Sequence, residues 1–426
     1  MDNIKVRYGP SPTGIPHIGN IRTALFNFLF AKSKNGQFFL RIEDTDQARI
    51  VPGAVEKIQQ SLKLLGLLYD GEIIYQSKRL DIYQKHLEIL KEKKLAYLDD
   101  GAWRFKINAS DPKIGWQDLV HGQVEFPTNV LEDFIIIKSD GFPTYHFASV
   151  VDDHLMEISH VLRGDEWISS TPKHLLLYDA FDWKAPEFAH LPPILGPDHK
   201  KLSKRDGAKS VMEYINEGYL PEALINFMVL LGWSPKGDQE IFSLDQLCSE
   251  FSLERINKNS PVFNLEKLDW FNGQWIRKIY EEDNHHLKKL VQDKTGFSDI
   301  LADKIIESTY TRVKKINDFS DYQYLIKQPK IDRNLLMFHD DAIDVLRSAL
   351  RLLSNLKVVK DETIRSVYKK LDEDYSNWSM TEIIQLIGRS ISGRKYFLPL
   401  LDMANIIGNK LSDKLENAIE QAEKQK

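Results

Sequence analysis

Apolar positions near the amino terminus fall in two short runs, Ile4 to Tyr8 and Phe38 to Ile42, each of strand length. Between them lie a proline- and glycine-rich turn, Gly9 to Pro16, and a stretch to about Ser33 that reads as helix. Strand, helix, strand in this order predicts a parallel sheet with a crossover helix. Val55, Ile58, Leu62 and Leu65 recur at helical spacing, and Phe134 to Lys138 and His160 to Arg163 are again strand-length apolar runs, taken as further strands of the sheet. Residues 78–131 interrupt it as an insertion would: a helix marked by Leu80, Tyr83, Leu87 and Leu90 passes into a polar, turn-rich region. After Lys204 the sheet pattern ends. Pro221 is placed as the first residue of a helix before Ala223 to Leu231, and Asn264 as a cap before Leu265 to Ile279. From about residue 285, Ile343, Leu346, Leu350 and Leu353, then Leu411, Leu415 and Ile419, recur every three or four positions. They predict an all-helical carboxy-terminal third, frayed only over Gln421 to Lys426.

At 426 residues the chain has room for about three domains of roughly 150 residues each. A hydrophobic fraction of 42%, a charged fraction of 28% and the lack of a long apolar run predict a soluble protein with no membrane association. The first strand begins so early that no leader is expected, which points to the cytoplasm. Cys248 is the only cysteine. It excludes an intramolecular disulfide and a zinc site built from several thiolates, so structural zinc is not expected; no residue is put forward as a ligand for another metal. The net charge of -5 argues against nonspecific nucleic-acid binding while leaving room for a local basic surface.

Three stretches could carry chemistry. Arg7 to Gly14 is a rigid turn leading into a helix, where unpaired N–H groups favour an anion such as a phosphate; His17 and Asn20 would add donors at the same end. The alternative is that this histidine and asparagine only cap the helix. Lys201-Leu202-Ser203-Lys204-Arg205 groups three cations and a hydroxyl that could close on a triphosphate, although most basic runs are solvated faces. Glu43, in Arg41 to Asp46, falls at the carboxyl end of the second strand, where parallel sheets bind ligands. It could hold an ammonium group, or the stretch could be an acidic loop whose carboxylates cap the next helix or pair with Arg41 and Arg49. Arg7 and Arg163 sit near strand ends and could grip carboxylates or form structural ion pairs; Tyr145 is open to either core or ligand use.

Taken together, Arg7 to Asn20, Arg41 to Asp46, Asp140 to His146 through Val150 to His154, and Lys201 to Arg205 resemble the motifs of the glutamyl-tRNA synthetases, a family of class I aminoacyl-tRNA synthetases. The resemblance covers residues 4 to about 280. It implies an α/β Rossmann-type catalytic domain with a parallel sheet over residues 1–77 and 132–200, split by an inserted α+β subdomain at 78–131 that binds the tRNA acceptor stem. A stem-contact domain (201–284) and a helical anticodon-binding domain (285–426) would follow, both all-α. It also implies a glutamate site of Arg7, Ser11, Glu43, Tyr145 and Arg163, with Glu43 facing the ammonium group and Arg163 the side-chain carboxylate. His17, Asn20, Lys201, Ser203 and Lys204 would be catalytic. ATP, carried with Mg2+, would meet His17, Gly19, Lys201 and Lys204, with Glu166 and Trp167 near the nucleoside. The partners implied are L-glutamate and tRNA(Glu), either alone or together with tRNA(Gln), and a monomer is expected.

The chain departs from the family at three places. Asn20 stands where the wider signature has a second histidine; the insertion runs directly from Asp99-Asp100-Gly101 into Trp103 to Lys106 without the cysteines that bind zinc in some members; and Leu401 to Ala404 lacks the expected tail pattern. Rival readings are a glutamyl transferase that modifies a tRNA base, which the long helical tail disfavours, a glutamine-activating enzyme, which Arg163 disfavours, and a catalytically silent RNA-binding scaffold, which intact Arg7, His17, Glu43 and Lys204 disfavour.

Overall fold

The computed structural model describes residues 4–108, 111–202, 208–337, 339–356 and 358–425. The chain forms two compact units, Met1–Asn272 and Gly273–Lys426. In chain order the first contains β1 (Lys5–Tyr8), α1 (Ile18–Ser33), β2 (Gln37–Ile42), α2 (Ala54–Leu64), β3 (Ile74–Tyr75), α3 (Leu80–Glu92), β4 (Ala96–Asp99), β5 (Ala102–Phe105), β6 (Lys113–Asp118) and β7 (Gly122–Pro127). It continues with β8 (Phe134–Ile137), α4 (Tyr145–Leu155), β9 (His160–Gly164), α5 (Thr171–Ala180), β10 (Glu187–Leu191), α6 (Val211–Asn216), α7 (Pro221–Leu230), α8 (Leu244–Glu250) and the start of α9 (Leu265–Glu282). The division between units falls inside α9, where no loop marks it in the sequence.

β1 pairs in parallel with β2 from Lys5↔Gln37 to Tyr8↔Leu40, and β2 with β3. β9 and β10 form a second parallel pair, Glu187↔His160 to Leu191↔Gly164. The two halves meet at β1 and β9, where Lys5 N donates to Ser159 Oγ and Ser159 N to Lys5 O, both at 2.9 Å. Further along, Asn27 of α1 gives its Nδ2 to Leu162 O at 3.1 Å. The spatial order β3-β2-β1-β9-β10 thus reverses direction between β1 and β9, and their carboxyl ends flank the crevice that such a reversal leaves. Apolar on nearly all sides, α1 has to be buried. It packs between β1 and β2 on one side and α7 and α8 on the other.

Two strands pair differently from the sequence reading. Phe134–Ile137 is not part of the parallel sheet: β8 pairs antiparallel with β5, completing the sheet β4-β5-β8. Its apolar run reflects burial against the core that holds Tyr83, Leu87 and Phe147, which is compatible with either strand direction. Conversely β6, from the predicted insertion, pairs in parallel with β10 at Asp118↔Phe188 and antiparallel with β7, so β6 and β7 extend the edge of the sheet.

The second unit is helical: α10 (Asn284–Thr295), α11 (Asp299–Thr309), α12 (Ala342–Ser354), α13 (Asp361–Asp374), α14 (Met380–Ser392), α15 (Leu400–Ile407) and α16 (Lys410–Glu423), with 3-10 turns at Ile316–Leu325 and Arg333–Leu335. The α12 stripe is centred on Val345, Leu346, Ala349 and Leu353, with Ile343 and Leu350 at its edge, and Leu411, Leu415 and Ile419 of α16 are buried as predicted. The carboxy-terminal end is not frayed over its described residues. Gln421 Nε2 donates to Pro329 O and its Oε1 accepts from Ile331 N, while Gln425 exchanges bonds with Ile331 O and Arg333 N. These amide side chains act as partners for the backbone of the loop at 329–333, a use that their polarity concealed. Among the described residues no helix is long and apolar enough to cross a membrane.

Within the first unit β1, β2 and α4 share buried charges. Arg7 Nε and Nη2 reach Asp153 Oδ1 and Oδ2 at 2.8 and 3.1 Å, and Arg41 Nη1 reaches Asp153 Oδ1 at 2.6 Å. Although burial pushes the Asp153 carboxyl up, the Arg41 and Arg7 guanidiniums outweigh it and hold it below the usual carboxylate range. Its contribution to stability is therefore complete above the ordinary aspartate pKa of about 3.9 and is lost as pH falls toward the lower folded-state value. Asp153→Asn is expected to cost about 3 kcal/mol, because it leaves two buried guanidiniums facing an amide. Urea denaturation at neutral pH checks this, and a variant as stable as the parent would contradict it.

Candidate active site

The crevice between β1 and β9 is an open cleft of about 660 Å³. Arg7, Ser11, Asn20, Glu43, Tyr145, Arg163, Glu166 and Trp167 all line it. These eight predicted residues come from five places in the chain: the β1 end and its turn, the start of α1, the β2 end, the start of α4, and the β9 end with the turn after it. Among the described residues His17, Gly19 and Lys201 lie outside the lining. Ser203 and Lys204 fall outside the described residues.

At the start of α1, His17 is the N-cap. Its Nδ1 accepts from Gly19 N at 3.0 Å, and Asn20 Oδ1 accepts from His17 N at 3.3 Å. The pair therefore does cap the helix, as the plainer sequence reading had it. The cap has a chemical consequence: with Nδ1 an acceptor, the neutral ring carries its proton on Nε2 and presents a donor. Burial and then the Lys201 ammonium lower the His17 pKa, against the opposing pull of Glu166, so the ring is neutral at pH 7. Gly19 is required by this geometry, since a Cβ there would sit 2.8 Å from His17 Cε1. Ile18 N donates to Lys209 O at 3.0 Å, and His17 forms a bridge with Ser210. Lys201 and the chain just beyond the basic run are thus drawn toward the same helix end.

Glu43 pairs with Arg41, whose Nη2 lies 2.9 Å from Oε1. Arg49 pairs with Asp46 of the same acidic loop at 3.8 Å. Glu43 is buried, and burial raises its pKa against the Arg41 and Arg7 charges. A Cβ at Gly9 would sit 2.5 Å from Glu43 Oε1, so the carboxylate packs directly on the turn backbone. Arg7, bound to Asp153 through Nε and Nη2, and Arg41 complete a set of two guanidiniums and two carboxylates.

Arg163 is arranged differently. It is buried, yet no carboxylate among the described residues pairs with it. Nε donates to His190 Nε2 at 3.1 Å, Nη1 to Tyr145 Oη at 3.1 Å, and Nη2 to Thr171 Oγ1 at 2.8 Å and Trp167 O at 3.3 Å. Nη1 also lies 3.3 Å from His174 Nδ1. Burial, followed by the Arg163 charge, depresses His174 well below the ordinary histidine value, and the ring stays neutral. His146, 3.1 Å from His174, is lowered to about 4 by burial, Lys173 and Arg163. Tyr145 lies against Trp167 with ring centroids 4.2 Å apart.

Four residues around this site were given no role by the sequence reading: Asp153, Asp118, His190 and His174. For Asp153 a signal was present, because adjacent acids at Asp152 and Asp153 follow directly on Val150 and Val151, which marks them as buried and therefore paired. Asp118, His190 and His174 stand singly in unremarkable contexts; the pairing of β6, β9 and β10 brings Asp118 and His190 near Arg163, and helix α5 brings His174.

Residues 3–103 and 99–270 match the model of the class I tRNA synthetases (E and Q), catalytic domain. The glutamate–tRNA ligase of Dehalococcoides mccartyi strain CBDB1 is 38% identical over an alignment covering 96% of this chain and 95% of that one. The glutamate–tRNA ligase of Chloroherpeton thalassium is 34% identical, with 99% of each chain covered. The crystal structure of a glutamate tRNA ligase from Elizabethkingia meningosepticum, in complex with its amino acid, superposes with a TM-score of 0.84 at 32% identity over 98% of this chain and 99% of that one. On this agreement of cleft, motif order and full-length similarity, the chain belongs to the class I tRNA synthetases, among the glutamate–tRNA ligases.

Proposed function

We propose that the chain activates L-glutamate with ATP and transfers it to the 3'-terminal adenosine of tRNA(Glu). The observation that carries this reading is Arg163, a buried guanidinium in a cleft wall with only neutral partners among the described residues. Such a group favours an incoming carboxylate and gains little from an amide. Arg163 then holds the side-chain carboxylate of glutamate, with Tyr145 beside it. Glu43, whose Oε1 accepts from Arg41, takes the substrate ammonium group, and Arg7 and Ser11 border the amino acid from the turn.

In the first step an α-carboxylate oxygen of glutamate attacks the α-phosphorus of ATP, and the bond to the bridging oxygen breaks to release pyrophosphate. Magnesium arrives with ATP as part of the substrate. His17 donates through Nε2 to a phosphate oxygen, with Asn20 and the Gly19 backbone at the same helix end, where the dipole favours anions. Lys201, Ser203 and Lys204 close over the triphosphate, and Glu166 and Trp167 border the nucleoside. In the second step the ribose hydroxyl of the terminal adenosine attacks the glutamyl carbonyl, and AMP leaves. Orientation and charge neutralisation lower both barriers, without covalent help from the protein.

Residues 78–131 are assigned to the acceptor stem, 201–284 to the stem beneath it and 285–426 to the anticodon, with tRNA(Glu) alone or both tRNA(Glu) and tRNA(Gln) as acceptors. The enzyme acts as a cytoplasmic monomer.

Pyrophosphate exchange across a panel of amino acids, with and without each tRNA, tests the reading: exchange with glutamate is expected, and exchange with glutamine in its place would overturn it. Arg163→Ala is expected to raise the glutamate KM about 100-fold, the scale for removing one side of a buried charge pair. His17→Asn separates capping from chemistry, because asparagine is a good N-cap but lacks the Nε2 donor. Activation should slow by about 100-fold while stability changes by less than about 0.5 kcal/mol. Normal exchange by this variant would reduce His17 to a cap.

A further inference from the structure

The inserted strand β6 sends one buried carboxylate into the catalytic sheet. Asp118 Oδ2 lies 2.5 Å from His190 Nδ1, and neither side chain is reached by solvent. His190 Nε2 in turn accepts from Arg163 Nε at 3.1 Å. We propose that Asp118 is a positioning residue for Arg163: it fixes His190 as the Nδ1–H tautomer, so that the Nε2 lone pair orients the guanidinium toward the cleft. This rests on the reading that Arg163 holds the glutamate side chain.

The surroundings of Asp118 admit only a full acceptor. Oδ1 takes Val120 N and His121 N at 3.0 Å and His190 N at 3.3 Å, while Oδ2 takes Trp116 Nε1 at 3.3 Å in addition to the imidazole. All five neighbours donate. Three backbone donors fix the Oδ1 side, so His190 Nδ1 must be the protonated nitrogen and Nε2 the acceptor. The neutral link also has a chemical use. A carboxylate placed directly on Arg163 would neutralise it and compete with the substrate carboxylate. An imidazole supplies the same directional acceptor without a charge, and the aspartate that sets its tautomer stands one ring further away. His174 offers a second neutral acceptor on the Nη1 side. Arg163 is thereby oriented yet left uncompensated, the state that distinguishes an acid from its amide. Because β6 belongs to the insertion, the setting of the amino-acid pocket depends on that insertion being docked on β10.

Asp118→Asn tests this without changing volume. Its Oδ1 is held by the three backbone donors, so its amide nitrogen faces His190 Nδ1 and drives the ring to the Nε2–H tautomer, which opposes Arg163 Nε–H. The glutamate KM is expected to rise by about 10- to 100-fold, the range for removing outer partners that orient a functional histidine. The ATP KM and kcat should stay within about threefold, since a positioning effect on one substrate is read in its own KM. Nitrogen-15 NMR of the imidazoles should show His190 as Nδ1–H in the parent and Nε2–H in the variant. An unchanged glutamate KM in Asp118→Asn, with Arg163→Ala impaired, would overturn the relay alone. A normal glutamate KM in Arg163→Ala would remove the reading beneath it as well. Should the variant not fold, the parent spectrum still decides: an Nε2–H tautomer at His190 would overturn the proposal.

Discussion

The arrangement of the cleft depends on one cluster of buried charge, in which Asp153 joins the guanidiniums of Arg7 and Arg41 and Arg41 reaches on to Glu43. A single ion pair sealed from water returns little net stability, because desolvation offsets most of the attraction. What this cluster supplies is position. It fixes the ends of β1 and β2 against α4, so that Glu43 faces the turn after β1 at the place where the sheet reverses its order. Two positive and two negative groups leave the cluster neutral in total, and it can sit in the core without a counterion from outside.

At His17 the cap prepares the ring for the chemistry proposed for it. The sequence posed them as alternatives. In the structure the Nδ1 bond to Gly19 N that closes the helix end also decides which nitrogen carries the proton. A histidine free of the cap would exchange tautomers and present its donor only part of the time. Asn20, completing the capping box, holds the same end from the other side.

Local pattern made the outer framework of the chain legible. The β1-α1-β2 unit, the helix start at Pro221 and the cap at Asn264, and the helical stripes of the second unit all follow from periodicity and turn chemistry. Partnering between distant strands was not legible. The apolar run at Phe134–Ile137 carries no mark of the strand it will pair with, and so its membership of the antiparallel β4-β5-β8 sheet was missed. The same limit hid Asp118 and His190, since their meeting depends on β6 docking beside β10. For the site, motif order recovered eight residues that share the cleft. It did not recover Asp153, whose partners Arg7 and Arg41 lie more than a hundred residues earlier in the chain. Gln421 and Gln425 were misread for a related reason: polar side chains at a chain end suggest fraying unless the loop that needs their amides is in view.

The same nearness of charge gives the two arginines of the cleft opposite characters. Arg7 shares an aspartate at 2.8 Å, which screens its attraction for a second anion. Arg163 is surrounded by imidazole, hydroxyl and carbonyl acceptors that satisfy its hydrogen bonds and leave its charge uncompensated. In a low-dielectric wall that difference decides which guanidinium attracts a further carboxylate most strongly. The proposed assignment of the glutamate side chain to Arg163 therefore follows from the choice of neutral acceptors around it. The neutral state of those acceptors is itself maintained, since burial and the Arg163 charge hold His174 unprotonated and burial, outweighing the pull of Asp118, lowers His190. A second cation beside Arg163 would repel it, so the arginine and its imidazole neighbours preserve the electrostatic state that suits an acidic substrate.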